Sequence, residues 1–354
     1  MKHTDVIIAG GGFAGLACAK ALASAGIGVT LLERKHTPGM GMHTTGIIVG
    51  ECAEEFALPE TLTRKVTDVR LFAPSLRYVD LQSPDYFFLT TDTPALMRHL
   101  SDEAIAAGAT ILYDTPYESG SQQGKNIMVN GTLTCRFLIG ADGPRSKVAE
   151  DFGLGKNTKF LLGAEAEYEG LKLDDDNAFY CFLDQTLAFG YLGWVIPGVG
   201  VAQVGLAQRM PKRPDIDAFV TRMRDIFDFS QAKVTARRGG LIPVGGLVRP
   251  FARDNVILLG DAAGIVSPLT AGGIHTALHY GKVLGETIAE HLKGGEHPVS
   301  LLEQIYPRFY LKQALRVGYE RCAPNWLLDI MLTNPLFKML SATVFFATEH
   351  KLSP

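Results

Sequence analysis

Five cysteines in 354 residues, none in a CxxC pair, are too few and too scattered for a disulfide framework or a thiolate zinc site. They are Cys18, Cys52, Cys135, Cys181 and Cys322, an odd number that suits a reducing compartment, and no metal site is expected. Neither sign of charge dominates: 34 Lys and Arg face 37 Asp and Glu, so no basic field invites nucleic acid. No apolar run is long enough to span a bilayer. No charged-then-apolar leader precedes the first strand, which begins by Asp5, so a cytoplasmic protein is expected. Repeats and low-complexity stretches are also missing. What remains is a globular composition, 47% apolar and 20% charged, in a chain long enough for two domains.

Glycine is what the chain has in quantity, and two clusters of it stand far apart. The first, in "IIAGGGFAGLACAKAL" from Ile7, follows the buried strand "DVIIAG" and opens a helix that Gly26 closes; "GVTLLER" is the next strand. Gly10 to Gly15 fit GxGxxG inside this β-α-β unit. Gly10 permits the tight turn, Gly12 leaves room for a pyrophosphate, and Gly15 lets helix and strand approach. The helix N-terminus offers free N–H groups and a partial positive charge to phosphates. Glu33 ends the second strand, 23 residues after Gly10, where a carboxylate accepts the ribose hydroxyls and disfavours a 2′-phosphate. The motif implies an ADP moiety and leaves NAD and FAD both open.

The second cluster, "LLGDAAGIVSPLTAGGIHTAL" from Leu258, favours FAD, whose ribityl chain and ring need further polar anchors. Asp261 ends an apolar strand and can accept from ribityl hydroxyls. Ala262, Ala263 and Gly264 are small enough for close backbone approach. A helix starting near Gly272, Gly273 and Ile274 can aim its N–H groups at the N1/C2 carbonyl edge of a flavin. Between residues 161 and 208 the pattern changes to long strands of antiparallel type: "LGAEAEYEG", "NAFYCFLD", "LAFGYLGWVIP" and "GVAQVGLAQ". The expected fold is α/β with an α+β substrate part: a Rossmann-like FAD-binding domain (1–67, 92–160 and 240–295) with an inserted antiparallel-sheet substrate domain (68–91 and 161–239). C-terminal helices (296–354) complete it.

The Gly10 turn, "GADGPRSKV" at Gly140–Val148 and "GDAAGIVSPLTAGGI", in this order, resemble the flavoprotein group that includes aromatic hydroxylases of the p-hydroxybenzoate hydroxylase type. The resemblance runs roughly to residue 290. It implies that Asp142 and Gly143 lie near the pyrophosphate and that Asp261 holds the ribityl chain. The implied contact set also takes in Phe13, Ala14, Arg34, Thr45, Gly260, Ala262, Gly264, Pro268 and Ile274. Where such proteins often carry Arg or Gln at a helix start, this chain has Thr93; Arg98 can substitute only from a different turn. Aromatic hydroxylases usually have His after Gly-Asp-Ala-Ala, and here Gly264 stands in that place. In this the second cluster is more similar to the geranylgeranyl reductase family, which reduces carbon–carbon double bonds of isoprenoid chains.

"GYLGWVIPG" (Gly190–Gly198) resembles that family's Tyr-x-Trp-x-Phe-Pro motif with one extra residue, and partly matches flavin-dependent halogenases. It makes Tyr191, Trp194 and Pro197 candidates for a substrate pocket; Trp194 is either a core aromatic or a cavity wall. A Cys-Gly pair common in relatives is Thr45-Gly46 here. His43, His275 and Tyr191 are the candidate proton donors, although a loop His such as His43 is more often solvated and His275 can simply pack. The implied reaction is hydride transfer from flavin N5 to an alkene of a small apolar substrate such as a lipid, with NAD(P)H or a partner protein supplying electrons. A flavin monooxygenase or halogenase is the alternative, and a non-catalytic flavoprotein for lipid binding or electron relay a third. The apolar C-terminal stretch from Asn325 is either a peripheral membrane contact or a pair of helices packed on the core.

Overall fold

The computed structural model describes residues 2–83, 85–332 and 334–346. The chain forms two compact units, each assembled from three separated segments. The first comprises 1–40, 94–159 and 243–309, the second 41–93, 160–242 and 310–354. Residues 41–67, placed by sequence with the first domain, cluster with the second unit, as do the helices from Tyr310 onward.

In the first unit, Lys2–Ala9 pairs in parallel with Leu133–Gly140 on one side and Val29–Leu32 on the other. Val256–Leu258 and Thr110–Leu112 extend the sheet in parallel at either side, and Ala252–Arg253 adds an antiparallel edge. The hairpin of Gly120–Gln123 and Asn126–Val129 completes eight strands. The central strands read as continuous apolar runs because both faces are covered; Val6, Ile7, Ile8, Leu31 and Leu138 are fully buried.

The helix Phe13–Ser24 crosses the helix Ile274–Leu292 at a glycine-lined contact. A Cβ on Gly281 would meet the Ala14 carbonyl oxygen at 2.6 Å, and one on Gly285 the Ala21 Cβ at 2.7 Å. The pairing advances in the same sense along both helices, so they run parallel and their N-termini point the same way. Seven residues separate Ile274 from Gly281, so the second N-terminus projects about 10 Å beyond the first. Gly260 closes the link, since its Cβ would lie 2.9 Å from that of Ala14.

The second unit holds a seven-stranded sheet in the order Lys233–Pro243, Phe160–Glu169, Ala202–Arg209, Gly193–Pro197, Ala178–Phe182, Asp68–Phe72, Tyr78–Gln82. A three-stranded sheet of Ile47–Val49, Phe88–Thr91 and Thr63–Val66 accompanies it. One face of the larger sheet buries Tyr168, Tyr180, Phe182, Val195, Val204 and Leu206 against Phe219 and Met223 of the helix Ile216–Met223. The expected α/β fold is present, and the second sheet is antiparallel as expected except at one pair, Ala178–Phe182 with Asp68–Phe72, which is parallel. "LAFGYLGWVIP" is not one strand: Gly190 turns with a φ of 73°, and pairing starts only at Gly193. Lys233–Pro243 is a strand that the charged, glycine-bearing run "KVTARRGGLIP" does not announce.

Candidate functional site

Three turns of the first unit converge at the C-terminal ends of its parallel strands, where open α/β sheets bind ligands. At the first, Gly10 has a φ of 107° and its Cβ would strike the Ala141 carbonyl oxygen at 2.3 Å. Gly15 approaches the Gly10 carbonyl so closely that a Cβ would lie 2.0 Å from it. Gly12 differs: a Cβ there meets nothing within 4 Å, and the residue is exposed. The first two glycines serve the backbone, and the third leaves open space in front of a helix N-terminus. Phe13, Ala14 and Gly15 are buried behind it. No side chain caps this helix at Gly12, nor the longer one at Gly273, so both N-termini turn the positive end of a helix dipole outward, which suits an anionic ligand.

Carboxylates flank these termini. Glu33, half-buried, accepts from Gly11 N at 2.7 Å and Lys35 N at 2.9 Å, which fixes its carboxylate beside the glycine turn. Asp142 accepts through Oδ2 from Lys147 N and Val148 N. Its Oδ1 is buried with no hydrogen-bond partner among the described residues. Burial pushes the Asp142 carboxyl up, and pushes that of Asp261 up to about 6. Asn157 ties two turns together, donating through Nδ2 to the carbonyl oxygens of Asp261 (2.8 Å) and Pro144 (3.2 Å). It lies in a loop without periodicity, and nothing in its local sequence marks it.

The remaining expected contacts divide by exposure. Gly143, Asp261 and Gly273 are half-buried, and Gly272, Arg34 and Arg98 are exposed. Gly260, Ala262, Gly264, Pro268 and Ile274 are buried. Gly264 is glycine because of protein packing: at a φ of 72°, its Cβ would meet the Gly246 carbonyl oxygen at 2.3 Å. Thr93 is buried at the start of Thr93–Ala106, with its hydroxyl 2.9 Å from that of Thr91. His275 sits in the first turn of Ile274–Leu292, its ring centroid 6.0 Å from that of His279.

The second unit holds a polar cluster that local sequence does not disclose. Register places Glu165 opposite Gly205 and Gly205 opposite Trp194, on the sheet face away from the aromatic core. The Trp194 indole lies over Gly205, where a Cβ would come within 2.6 Å of the ring. Glu165, 5% exposed, accepts through Oε2 from Thr45 Oγ1 (2.6 Å) and Trp194 Nε1 (2.8 Å). Its Oε1 faces Arg238 Nε at 2.8 Å, and Arg238 also pairs with Glu167. Burial raises the Glu165 carboxyl, and Arg238, Thr45 and Trp194 oppose that shift. Gln203 Nε2 donates to the Thr45 carbonyl, so Thr45 is held from both ends by this network.

His43 is exposed, with Nδ1 2.8 Å from the Gly239 carbonyl oxygen. That oxygen can only accept, so Nδ1 carries the hydrogen and Nε2 is left to exchange a proton. Tyr191 has its carbonyl bonded by Tyr319 and its ring 5.9 Å from the Arg316 guanidinium, and burial pushes its phenol up. Pro197 accepts through its carbonyl from Thr90 Oγ1. All five cysteines are free thiols; Cys18, Cys52, Cys135 and Cys181 are buried.

Two uncapped, parallel helix N-termini beside an open glycine and three carboxylates define a dinucleotide-type flavoprotein oxidoreductase. The chain belongs to the family described as FAD binding domain, whose model matches residues 3–306. It is 27% identical over 327 residues to digeranylgeranylglycerophospholipid reductase 2 of Methanosphaera stadtmanae, covering 86% of this chain and 82% of that one. Geranylgeranyl diphosphate reductase of Rhodobacter capsulatus is 29% identical over 311 residues, 84% and 77% of the two chains. Among solved structures, a geranylgeranyl bacteriochlorophyll reductase-like protein of Thermoplasma acidophilum superposes with a TM-score of 0.85 at 18% identity, covering 99% and 98%.

Proposed function

We propose that this FAD-dependent oxidoreductase reduces carbon–carbon double bonds of an isoprenoid or related lipid. The observation that carries the cofactor assignment is the pair of staggered, uncapped helix N-termini. The names of the relatives carry the substrate class. Gly10, Gly12 and Gly15 with the first helix would hold the pyrophosphate, and Glu33 the adenosine ribose. Asp142 would lie near the pyrophosphate, Asp261 would take the ribityl chain, and Gly272, Gly273 and Ile274 the ring edge. When bound, the flavin supplies hydride from N5 to one alkene carbon. His43 and His275 are the candidates for the proton on the other carbon; the half-buried Tyr191, whose phenol burial pushes up, holds its proton more tightly. The chain has one dinucleotide turn, so NAD(P)H binds without a domain of its own or a partner protein delivers the electrons. Because the substrate is a lipid, we further propose a peripheral contact with a membrane. Among the described residues no helix is long and apolar enough to cross one.

The test is anaerobic. With geranylgeranyl diphosphate as probe and chemically reduced enzyme, product mass should rise by two hydrogens for each double bond reduced. No mass gain, combined with substrate-stimulated oxygen uptake in a parallel aerobic run, would replace this reading by the monooxygenase or halogenase one.

Asp261 gives a pH signature. Its carboxyl in the protein without FAD keeps a proton up to about pH 6, where an ordinary aspartate titrates at 3.8. The associated stability is present below 3.8 and is lost as pH rises through about 6. Ribityl hydroxyls donate to the carboxylate form, so binding expels that proton. FAD affinity is expected to rise between pH 4 and 6 and then level off. Asp261→Asn should flatten the profile in a fluorescence-quenching titration.

A further inference from the structure

Fifteen large hydrophobic residues are exposed among the described residues, and nine of them fall within residues 310–346. That segment is about a tenth of the chain, so the enrichment is local and not the ordinary apolar fraction of a protein surface. It consists of three helices, Tyr310–Cys322, Asn325–Leu332 and Pro335–Phe346. Their inner faces are fastened to the second unit. Leu328 and Leu332 are buried, Asp329 accepts from Ser75 N, and Asn325 bonds Asp184 and the Gln185 N–H. The Phe346 ring packs edge-on against Tyr86. The outer faces are fixed by this anchoring and are apolar: Trp326 is 65% exposed, Leu336 70% and Met339 64%. Leu336, Met339 and Leu340 recur at helical spacing, which makes a stripe along the last helix.

Charge sorts in the same direction. The segment has two acids, Glu320 and Asp329, and both are engaged on the protein side. Glu320 is bound by Arg209 and Arg316, and Asp329 by the loop at Ser75. The exposed charged residues of the segment, Arg321 and Lys338, are cationic. An apolar stripe with an interfacial tryptophan and basic flanks is the composition of a helix face lying in the headgroup region of an anionic bilayer. We infer that the outer face of helices 310–346, with Trp326, Leu336 and Met339 as its inserted side chains, docks this enzyme on an anionic lipid surface. The inference deepens the reading of a lipid-dissolved substrate and rests on it for its purpose.

Flotation of FAD-loaded protein with phosphatidylglycerol–phosphatidylcholine vesicles tests it. The protein is expected to float with these vesicles at low salt and to lose binding as salt rises. Trp326→Ser, Leu336→Ser and Met339→Ser combined should weaken binding by at least about tenfold while FAD content and turnover of dissolved geranylgeranyl diphosphate stay unchanged. Arg321→Glu with Lys338→Glu should abolish the preference for phosphatidylglycerol over pure phosphatidylcholine. Wild-type protein that stays unbound, or binding indifferent to the triple change, overturns the inference. So does a dimer in light scattering that the triple change splits, because a second copy would then own the face. Vesicle binding with no reduction of the probe would leave the surface standing and remove the proposed reaction.

Discussion

Gly12→Val is expected to yield a folded, colourless protein. Gly12 has a φ of −79° and a ψ of −176°, extended backbone that valine adopts readily, and no protein atom lies within 4 Å of a Cβ there. The folding cost is confined to a poorer helix N-cap, about 1 kcal/mol or less, so the unfolding midpoint of FAD-free protein should move by no more than about 4 °C. The same side chain fills the space in front of the first-turn N–H groups and excludes a pyrophosphate. FAD affinity should fall at least about a hundredfold, read from flavin absorbance after purification and from reconstitution titrations. Gly10→Val and Gly15→Val provide the contrast: both collide with backbone and should lose stability as well as cofactor. Full retention of FAD by Gly12→Val would move the phosphate site elsewhere.

The second large effect is on stability. Arg238 is 9% exposed and is the cation shared by Glu165 and Glu167. Arg238→Met leaves Glu165 buried with only the Thr45 hydroxyl and Trp194 N–H as donors, a loss of about 3–5 kcal/mol at neutral pH. Glu165→Gln should cost less, because Arg238 keeps Glu167 and the amide oxygen still accepts. The Arg238→Met deficit should depend on pH. Burial already raises the Glu165 carboxyl, and without the guanidinium it rises further, so the folded variant binds a proton that the unfolded chain has released. Its stability is highest below the ordinary carboxylate range and is lost as pH climbs through the raised value. Urea unfolding at pH 4.5 and pH 7.5 should show a smaller gap between variant and wild type at the lower pH; an equal gap would mean that Glu165 carries no extra proton.

These two sites differ in how readily they can be read from the chain. The glycine turn, Glu33 and the Asp261 turn are legible as candidates because each is set by local geometry, a strand, a tight turn and a helix start within about 25 residues, whereas Asp142 alone reads as a surface turn and is reached only through the resemblance. Glu165 and Arg238 are not. "LGAEAEYEG" is recognisable as a strand, but its acids read as a solvated face until register sets Glu165 beside Gly205 and Trp194. The strand carrying Arg238 lacks apolar alternation and pairs with residues some 70 positions earlier. Thr45 illustrates the same limit: nothing in its local sequence signals that its hydroxyl donates to Glu165, 120 residues later. Gly190 interrupts a run whose composition is otherwise that of a strand.

The glycine contact between Phe13–Ser24 and Ile274–Leu292 has a consequence for the order of events during synthesis. The strand Lys2–Ala9 and its turn are made some 250 residues before Gly281, Gly285 and the Asp261 turn. Until then the parallel sheet lacks Val256–Leu258, and the first helix lacks the neighbour that Ala14 and Ala21 require. On the proposed site, coenzyme loading therefore waits until both turns have been made, and a product truncated before residue 260 is expected not to retain it.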